Sequence, residues 1–350
     1  MGVETKEEKV MENVLVTGGA GFIGSHVAEQ LVSLGMNVTV LDDLSGGFID
    51  NIPVGGRFVE GSINDVGLLN ELFTSEKFDY VYHLAAYAAE GLSHFIKSFN
   101  YNNNLIGSVN LINASINHDV KCFVFTSSIA VYGTSPVLPM TEETPAHPED
   151  PYGIAKLAVE QELRVCKEMF DLDYIIFRPH NVYGERQNIG DKYRNVVGIF
   201  MNQLLQGNPM TIFGDGKQRR AFSHIRDVAP IIAESVHCSE AYNNIFNIGA
   251  DQPYSINELA EAVARAMGCE PKINYAPPRN EVQQAYSSHE KVMGVFGQRE
   301  FFSLEDGLAQ MAEWVKQHGI RESKKFENIE VKKNFPGVWL NKTLSEEPGV

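Results

Sequence analysis

The sequence is poor in cysteine, in positive charge and in long apolar runs. Only four cysteines occur in 350 residues, at 122, 166, 238 and 269, and the nearest two stand 31 residues apart. That spacing excludes a CxxC redox or zinc pair and leaves free thiols in a reducing compartment as the expectation. Lysine and arginine number 29 against 45 acidic residues, a net charge of −16. A chain this acidic repels a polyphosphate backbone, which argues against nucleic acid as a partner. A few local arginines can still hold one phosphorylated metabolite. No stretch approaches the roughly 18 apolar residues of a membrane span. The opening residues, MGVETKEEKVMEN, are charged and lack the apolar core of a signal peptide. A cytoplasmic protein with no membrane partner and no metal site is therefore expected.

What is present fits a soluble enzyme-sized chain. Apolar residues at 43% and charged residues at 21% have the balance of a globular protein, and the length exceeds what one core fills, so two lobes are expected. From Asn13 onward, short apolar or β-branched runs alternate with helical segments. The strand candidates are Val14–Val16, Asn37–Leu41, Arg57–Glu60, Tyr80–Leu84, Lys121–Thr126 and Tyr174–Arg178. Short buried strands separated by helices predict a parallel sheet covered on both faces. Beyond residue 180 prolines, glycines and arginines become denser, with helices expected at Asn195–Gln206 and Ile256–Met267. The reading is a loose lead-in over 1–12 and a doubly wound domain over 13–180 with a returning segment near 221–248. A smaller mixed α/β substrate-binding lobe takes 181–220 and 249–321, and a loosely packed polar tail takes 322–350.

The first chemical signal follows the first strand. Thr17-Gly18-Gly19-Ala20-Gly21-Phe22-Ile23-Gly24 joins a strand to a helix with glycines at the spacing of a dinucleotide turn. Glycine permits positive φ and close approach to a pyrophosphate, and the helix start offers free N–H groups and a positive dipole end. The second strand ends at Asp42, 18 residues after Gly24, where a Rossmann fold places an acid on the adenosine ribose. A carboxylate there accepts from both hydroxyls and repels a 2′-phosphate, which selects NAD over NADP. Thr126-Ser127-Ser128 closes another predicted strand, the end at which open α/β sheets bind ligands. Tyr152 and Lys156, at i and i+4 near a helix start, share a face. An ammonium beside a phenol favours the phenolate and suits a tyrosine to act as a base.

TGGAGFIGSH, TSSIAVYG and YGIAK together resemble the extended short-chain dehydrogenase/reductase family, in its nucleotide-sugar epimerase branch typified by UDP-glucose 4-epimerase (UDP-galactose 4-epimerase). The resemblance runs from about Asn13 to about Gly319. It implies a Rossmann doubly wound sheet, NAD held without exchange, and a UDP-sugar substrate. Tyr152 takes the proton of the sugar 4-hydroxyl while hydride passes to the cofactor and returns to the other face of the 4-keto sugar. Lys156 holds the nicotinamide ribose, and Ser128 bonds O4 with Ser127 or Thr126 nearby. Phe22, Ile23, Ser62, Ile63, Leu84, Ala85, Ala86 and Asn104 match cofactor-lining positions. Asn181, Asn195, Val196, Thr211 and Phe213 match positions that hold the sugar nucleotide, Arg220 and Arg279 match a diphosphate clamp of forked donors, and Ala285 matches the position gating the sugar C2 substituent.

Several positions depart from the family pattern. Ser62 stands where an acid is common, Ala88 where some members carry a cofactor-touching lysine, and Ala221 where aspartate is usual. The Asp-Glu pair that dehydratases carry after the strand-end hydroxyls is replaced by Ser128-Ile129, and Asn181 replaces a threonine frequent in uronic-acid epimerases, while Arg186 keeps an acidic sugar in view. The expectation is 4-epimerisation of UDP-glucose and UDP-galactose, with room at Ala285 for N-acetyl sugars. UDP-glucuronate epimerisation, another dehydratase or decarboxylase reaction, and a non-catalytic NAD sensor are the rivals. The intact Ser128/Tyr152/Lys156 set speaks against a sensor. A homodimer is expected by analogy, through the helices Asn104–Asn117 and Tyr152–Phe170, whose Ile106, Val109, Leu111, Ile112, Ala155, Val159 and Leu163 form apolar stripes.

Overall fold

The computed structural model describes residues 11–278, 282–321 and 328–339. Its centre is a seven-stranded, wholly parallel sheet. The strands are β1 (Asn13–Thr17), β2 (Asn37–Asp42), β3 (Arg57–Glu60), β4 (Tyr80–His83), β5 (Cys122–Thr126), β6 (Asp173–Pro179) and a returning strand, Asn244–Ile248. Their spatial order is returning strand, β6, β5, β4, β1, β2, β3. The chain therefore winds one way from β1 to β3 and the other way from β4, which opens a crevice beyond the carboxyl ends of β1 and β4.

The sequence runs explain the layers. Val14, Leu15 and Val16 are all fully buried, because β1 is covered on both faces. One face packs Val14, Val16, Val38, Val40, Phe177 and Phe246 against helix α1 (Phe22–Ser33) and the helix Ile225–Glu234. The other packs Leu15, Val81, Phe123 and Ile176 against helix α2 (Val66–Glu76) and the helices Gly107–Asn117 and Pro151–Phe170. The returning strand was readable only as a returning segment, because Asn244-Ile245-Phe246-Asn247-Ile248 places asparagines at two of its five positions.

The expected helix from Asn104 is not continuous. Residues Asn102–Ile106 form a wider π turn before Gly107–Asn117 begins. Such widenings re-aim side chains, often beside functional sites, and this one sends Asn104 back to the loop after β4. The expected apolar stripes are core at Leu111, Ile112, Ala155, Val159 and Leu163, each at most 1% exposed within one chain, whereas Val109 is half-buried and Ile106 is 48% exposed.

A second core lies beyond β6. Phe200, Met201, Ile212, Leu259, Val263, Leu308 and Met311 join the helices Val196–Leu205, Ile256–Met267 and Leu304–His318 around short strands. The tail departs from the expectation of loose packing over residues 328–339. There Glu330 accepts from the backbone N–H groups of Ser98 and Phe99, at 2.7 and 2.9 Å. Trp339 is buried among Phe95, Tyr193, Phe213 and Phe335. Aromatic rings carry enough apolar area to anchor an otherwise polar segment. The remaining tail residues and the first ten lie outside the described residues.

Phe246 stacks near Phe177 and Phe296, with ring centroids 5.8 and 5.5 Å away. Phe246→Ala is expected to cost about 3–5 kcal/mol, read as a lowered urea midpoint of a single unfolding transition. A transition that splits in two would instead detach the returning strand from the sheet's cooperative unit.

Candidate active site

The crevice opened by the strand order is one continuous cavity bordered by both lobes. The glycine turn forms its floor. A Cβ on Gly18 would come within 2.6 Å of the Ala85 backbone, and one on Gly24 within 2.1 Å of the Gly18 carbonyl. The sequence uses glycine here because the turn, the next strand end and the helix start are in backbone contact. Helix α1 begins with Gly21 as N-cap and no side-chain cap, so its first N–H groups face the cavity, an arrangement that favours a phosphate.

Asp42 lies at the edge of this floor. Its carboxylate accepts from Ala20 N at 3.0 Å and Leu44 N at 2.8 Å, and burial raises its pKa against those hydrogen bonds. It is 8% exposed, so it is not a solvated loop acid. A buried carboxylate facing the cavity beside a glycine turn fits a dinucleotide ribose. Gly18, Gly21, Phe22, Ile23, Gly24, Asp42, Ser62, Ile63, Leu84, Ala85 and Ala86 all line the cavity. Asn104 does not. Its side chain bridges the backbone N and O of Tyr87 at 2.8 and 3.1 Å, so it positions the loop after β4 rather than facing a ligand.

The reactive side chains sit at the other end of the cavity. Asp150 caps the helix Pro151–Phe170 by accepting from Gly153 N at 2.9 Å, with Pro151 in the first turn. That start fixes where Tyr152 and Lys156 project, and both line the cavity with Thr126, Ser127 and Ser128. The Lys156 ammonium donates to the Thr126 carbonyl at 2.8 Å and lies 4.6 Å from the Phe125 ring centre. Burial lowers its pKa to about 7, against the opposing pull of Glu160. Burial also pushes the Tyr152 phenol well above its ordinary value; the Glu90 carboxylate adds to this, and hydrogen bonding with Ser128 works against it. These surroundings favour the protonated phenol, and a cation beside it would favour its ionisation.

Behind these groups lies a network that the sequence did not announce. Glu160 accepts from Arg178 Nε at 2.9 Å and Nη2 at 2.5 Å, and from Ser127 Oγ at 2.5 Å. Arg178 also donates to the Tyr132 hydroxyl at 2.8 Å. Ser127 therefore lines the cavity with its hydroxyl turned to Glu160. Thr126 Oγ1 is buried without a partner among the described residues, which makes it the strand-end hydroxyl available to a ligand. Glu90, Tyr87, Gln187 and Arg194 also line the cavity and were not predicted; only the family's departure at Ala88 hinted at that loop.

The expected nucleotide residues divide. Asn181 and Asn195 line the cavity. Phe213 lines a neighbouring hollow with Gly214, Asp215 and Gln283. Val196 packs on the second core, and Thr211 pairs with the Gln203 side chain. Arg220 donates to the carbonyls of Val282 and Gln283. Ala285, buried with Ile129, Val131, Tyr132 and Met140, does not line the cavity. Arg279 lies outside the described residues. Arg186 donates to Ser25 O and Glu29 Oε1 at 3.3 and 2.7 Å, so it braces α1 and does not line the cavity. Among the described residues no helix is long and apolar enough to cross a membrane.

Comparison with known proteins agrees with this geometry. The pattern of the NAD dependent epimerase/dehydratase family matches residues 14–249. A UDP-glucose 4-epimerase of Halalkalibacterium halodurans is 33% identical over 321 residues, 87% of this chain and 96% of its own length. The crystal structure of a UDP-glucose 4-epimerase of Thermotoga maritima with UDP-glucose superposes with a TM-score of 0.83 at 35% identity, covering 87% of this chain and 99% of that one. A UDP-glucose 4-epimerase of Thermus thermophilus in complex with NAD gives 0.82 at 32% identity, with the same two coverages.

Glu160→Gln leaves the buried Arg178 guanidinium without its carboxylate. A loss of about 3–5 kcal/mol is expected, measured by denaturant unfolding. Glu160→Asp, which keeps the charge, is expected to recover part of it.

Proposed function

The chain belongs to the NAD dependent epimerase/dehydratase family, and on that premise we propose that it inverts C4 of a UDP-hexose, interconverting UDP-glucose and UDP-galactose. The observation that carries this reading is the convergence of Ser128, Tyr152 and Lys156 on the cavity that holds the glycine turn and Asp42. The glycine cradle and the buried carboxylate fit NAD. When bound, NAD supplies reversible two-electron redox chemistry at the sugar carbon.

The chain's own residues supply the rest. Tyr152 takes the proton of the 4-hydroxyl and returns it, with Ser128 holding O4. Lys156, anchored on the Thr126 carbonyl, holds the nicotinamide ribose and lends positive charge as the phenol ionises. The absence of an acid pair after Thr126-Ser127 favours epimerisation over water loss. Glu90 adds a second selection. A carboxylate on the wall beside Tyr152 repels a uronate and tolerates a neutral hexose. With Arg186 committed to α1, no described feature recommends UDP-glucuronate. A homodimer through the helix Pro151–Phe170 and the π turn Asn102–Ile106 that leads into Gly107–Asn117 would rest on the outward Ile106, Ile154 and Val165, which are 42–48% exposed.

Two experiments test the reading. Purified protein given UDP-glucose and then UDP-N-acetylglucosamine, without added cofactor, is expected to form a product of unchanged mass from the first. The second ranks tolerance of a C2 substituent, and loss of one water or of carbon dioxide would refute epimerisation. Tyr152→Phe is expected to retain NAD and lose turnover, and sustained turnover would refute the mechanism. Glu90→Gln bears on selection. Removing its negative charge favours the phenolate, so the acid limb of the kcat/KM profile is expected to move to lower pH. The preference for UDP-glucose over UDP-glucuronate is expected to fall on the order of tenfold.

A further inference from the structure

The loop after β4 raises a charge problem. No cation comes from that loop into the cavity, which Ala85, Ala86 and Ala88 line with small side chains. The diphosphate end of the cavity is formed by the glycine turn and by Ser45-Gly46-Gly47, and these two loops touch: a Cβ on Gly47 would come within 2.6 Å of Ala20. Apart from the helix dipole of α1, neither loop brings a positive group.

Arg194 arrives there from the other lobe. It precedes the helix Val196–Leu205 and lines the same cavity. Its Nε donates to Asp191 Oδ2 at 2.8 Å, and Asp191 is itself 9% exposed and braced by Tyr193 N at 2.8 Å. The guanidinium carbon lies 4.8 Å from the centre of the Tyr87 ring, on the loop that Asn104 pins from both sides. With Nε committed to Asp191, Nη2 and Nη1 reach to 2.8 and 3.2 Å from where a Cβ on Gly46 would stand. The absence of a side chain at Gly46 is what admits them. Asn188 Nδ2 draws the same loop across by donating to Gly46 O at 3.4 Å. A guanidinium held by one nitrogen and a ring face presents its other two as a preset fork, the geometry that suits phosphate oxygens.

We propose that Arg194, held by Asp191 and Tyr87, closes over the NAD diphosphate from the substrate lobe, supplies the charge that the loop after β4 does not, and latches the cofactor between the lobes. The inference rests on NAD as the cofactor and not on which sugar is turned over. It makes NAD release depend on parting Arg194 from Tyr87, which is a separation of the lobes.

The test measures NAD rather than turnover. Wild-type protein, Arg194→Met and Arg194→Lys are passed through gel filtration, and bound NAD per protomer and the NAD Kd of the stripped, refilled protein are determined. Arg194→Met is expected to weaken NAD at least about tenfold, with Arg194→Lys intermediate because it keeps the charge and loses the fork. Gly46→Ala, which puts a methyl group where Nη1 and Nη2 point and so displaces the guanidinium without removing the arginine, is expected to weaken NAD, and it decides the matter should Arg194→Met fail to fold. The KM for UDP-glucose at saturating NAD separates the alternative. Wild-type NAD retention in Arg194→Met, or in Gly46→Ala where that variant decides, overturns the proposal. An effect confined to the UDP-glucose KM overturns it too, since it assigns Arg194 to the substrate.

Discussion

One buried carboxylate organises the reactive end of this molecule. Glu160, 3% exposed, sits one turn beyond Lys156 on the helix that carries Tyr152, and it ties that helix to β6 through Arg178 and to the end of β5 through Ser127. Desolvating an ion pair costs about as much as its attraction returns, so such a pair is a poor source of net stability and a good source of registry. Here the registry has chemical value. Two cations compete for one acid. Arg178 takes both oxygens, which leaves Lys156 with a carbonyl for a partner, and burial lowers the lysine pKa to about 7 against the pull of Glu160. A lysine so placed is sensitive to every further charge that enters the cavity, and the phenol beside it, pushed up by burial and by Glu90, is equally so. The site is built to respond to a cationic cofactor.

The same constraint explains how an acidic protein binds polyphosphorylated ligands. The net charge of −16 is an average, and the cavity does not sample it. The helix dipole of α1, Lys156 and the guanidinium of Arg194 face the cavity, whereas Arg178 and Arg186 are consumed by carboxylates behind it. Among acids, Asp42, Asp43 and Glu90 line the same cavity, with Glu90 beside Tyr152.

How much of this was legible in the sequence depends on the range of the interaction. The six predicted strands fall where the apolar runs stand, because a doubly covered parallel strand leaves a continuous local signature. The glycine turn, Asp42, Ser128, Tyr152 and Lys156 were legible because each is tied to a strand end or helix start by a fixed offset. Asn104 was read as a cofactor contact and instead braces Tyr87, since a π turn, which leaves no compositional mark, rotates it away from the cavity. Ala285 was read as a gate and lies packed beneath Ile129 and Tyr132. Glu160, Glu90 and Arg194 were invisible for a different reason. Each is an ordinary charged residue whose role depends on a partner distant in sequence, Arg178 for Glu160, Tyr152 for Glu90 and Tyr87 for Arg194, and no local pattern encodes such a meeting.

The residues that cross between the lobes point to a division of labour. An enzyme that keeps its cofactor through every turnover while exchanging its sugar nucleotide needs one rigid boundary and one that yields. The glycine turn, β1, β2 and β4 form the rigid one, being covered on both faces by packed helices. The second lobe touches this body at several places, among them Asn188 at Gly46 and Arg321 at Asp50 and Asn51. Arg194 with Asp191 stands against Tyr87, Arg186 braces α1, and the aromatic segment around Trp339 joins Phe95 of the first lobe to Tyr193 and Phe213 of the second. Tyr193 and Arg194 are adjacent in sequence, so the aromatic contact and the guanidinium contact are carried by one stretch of backbone. On the proposal that Arg194 holds the cofactor, parting Arg194 from Tyr87 would also draw Tyr193 away from Trp339.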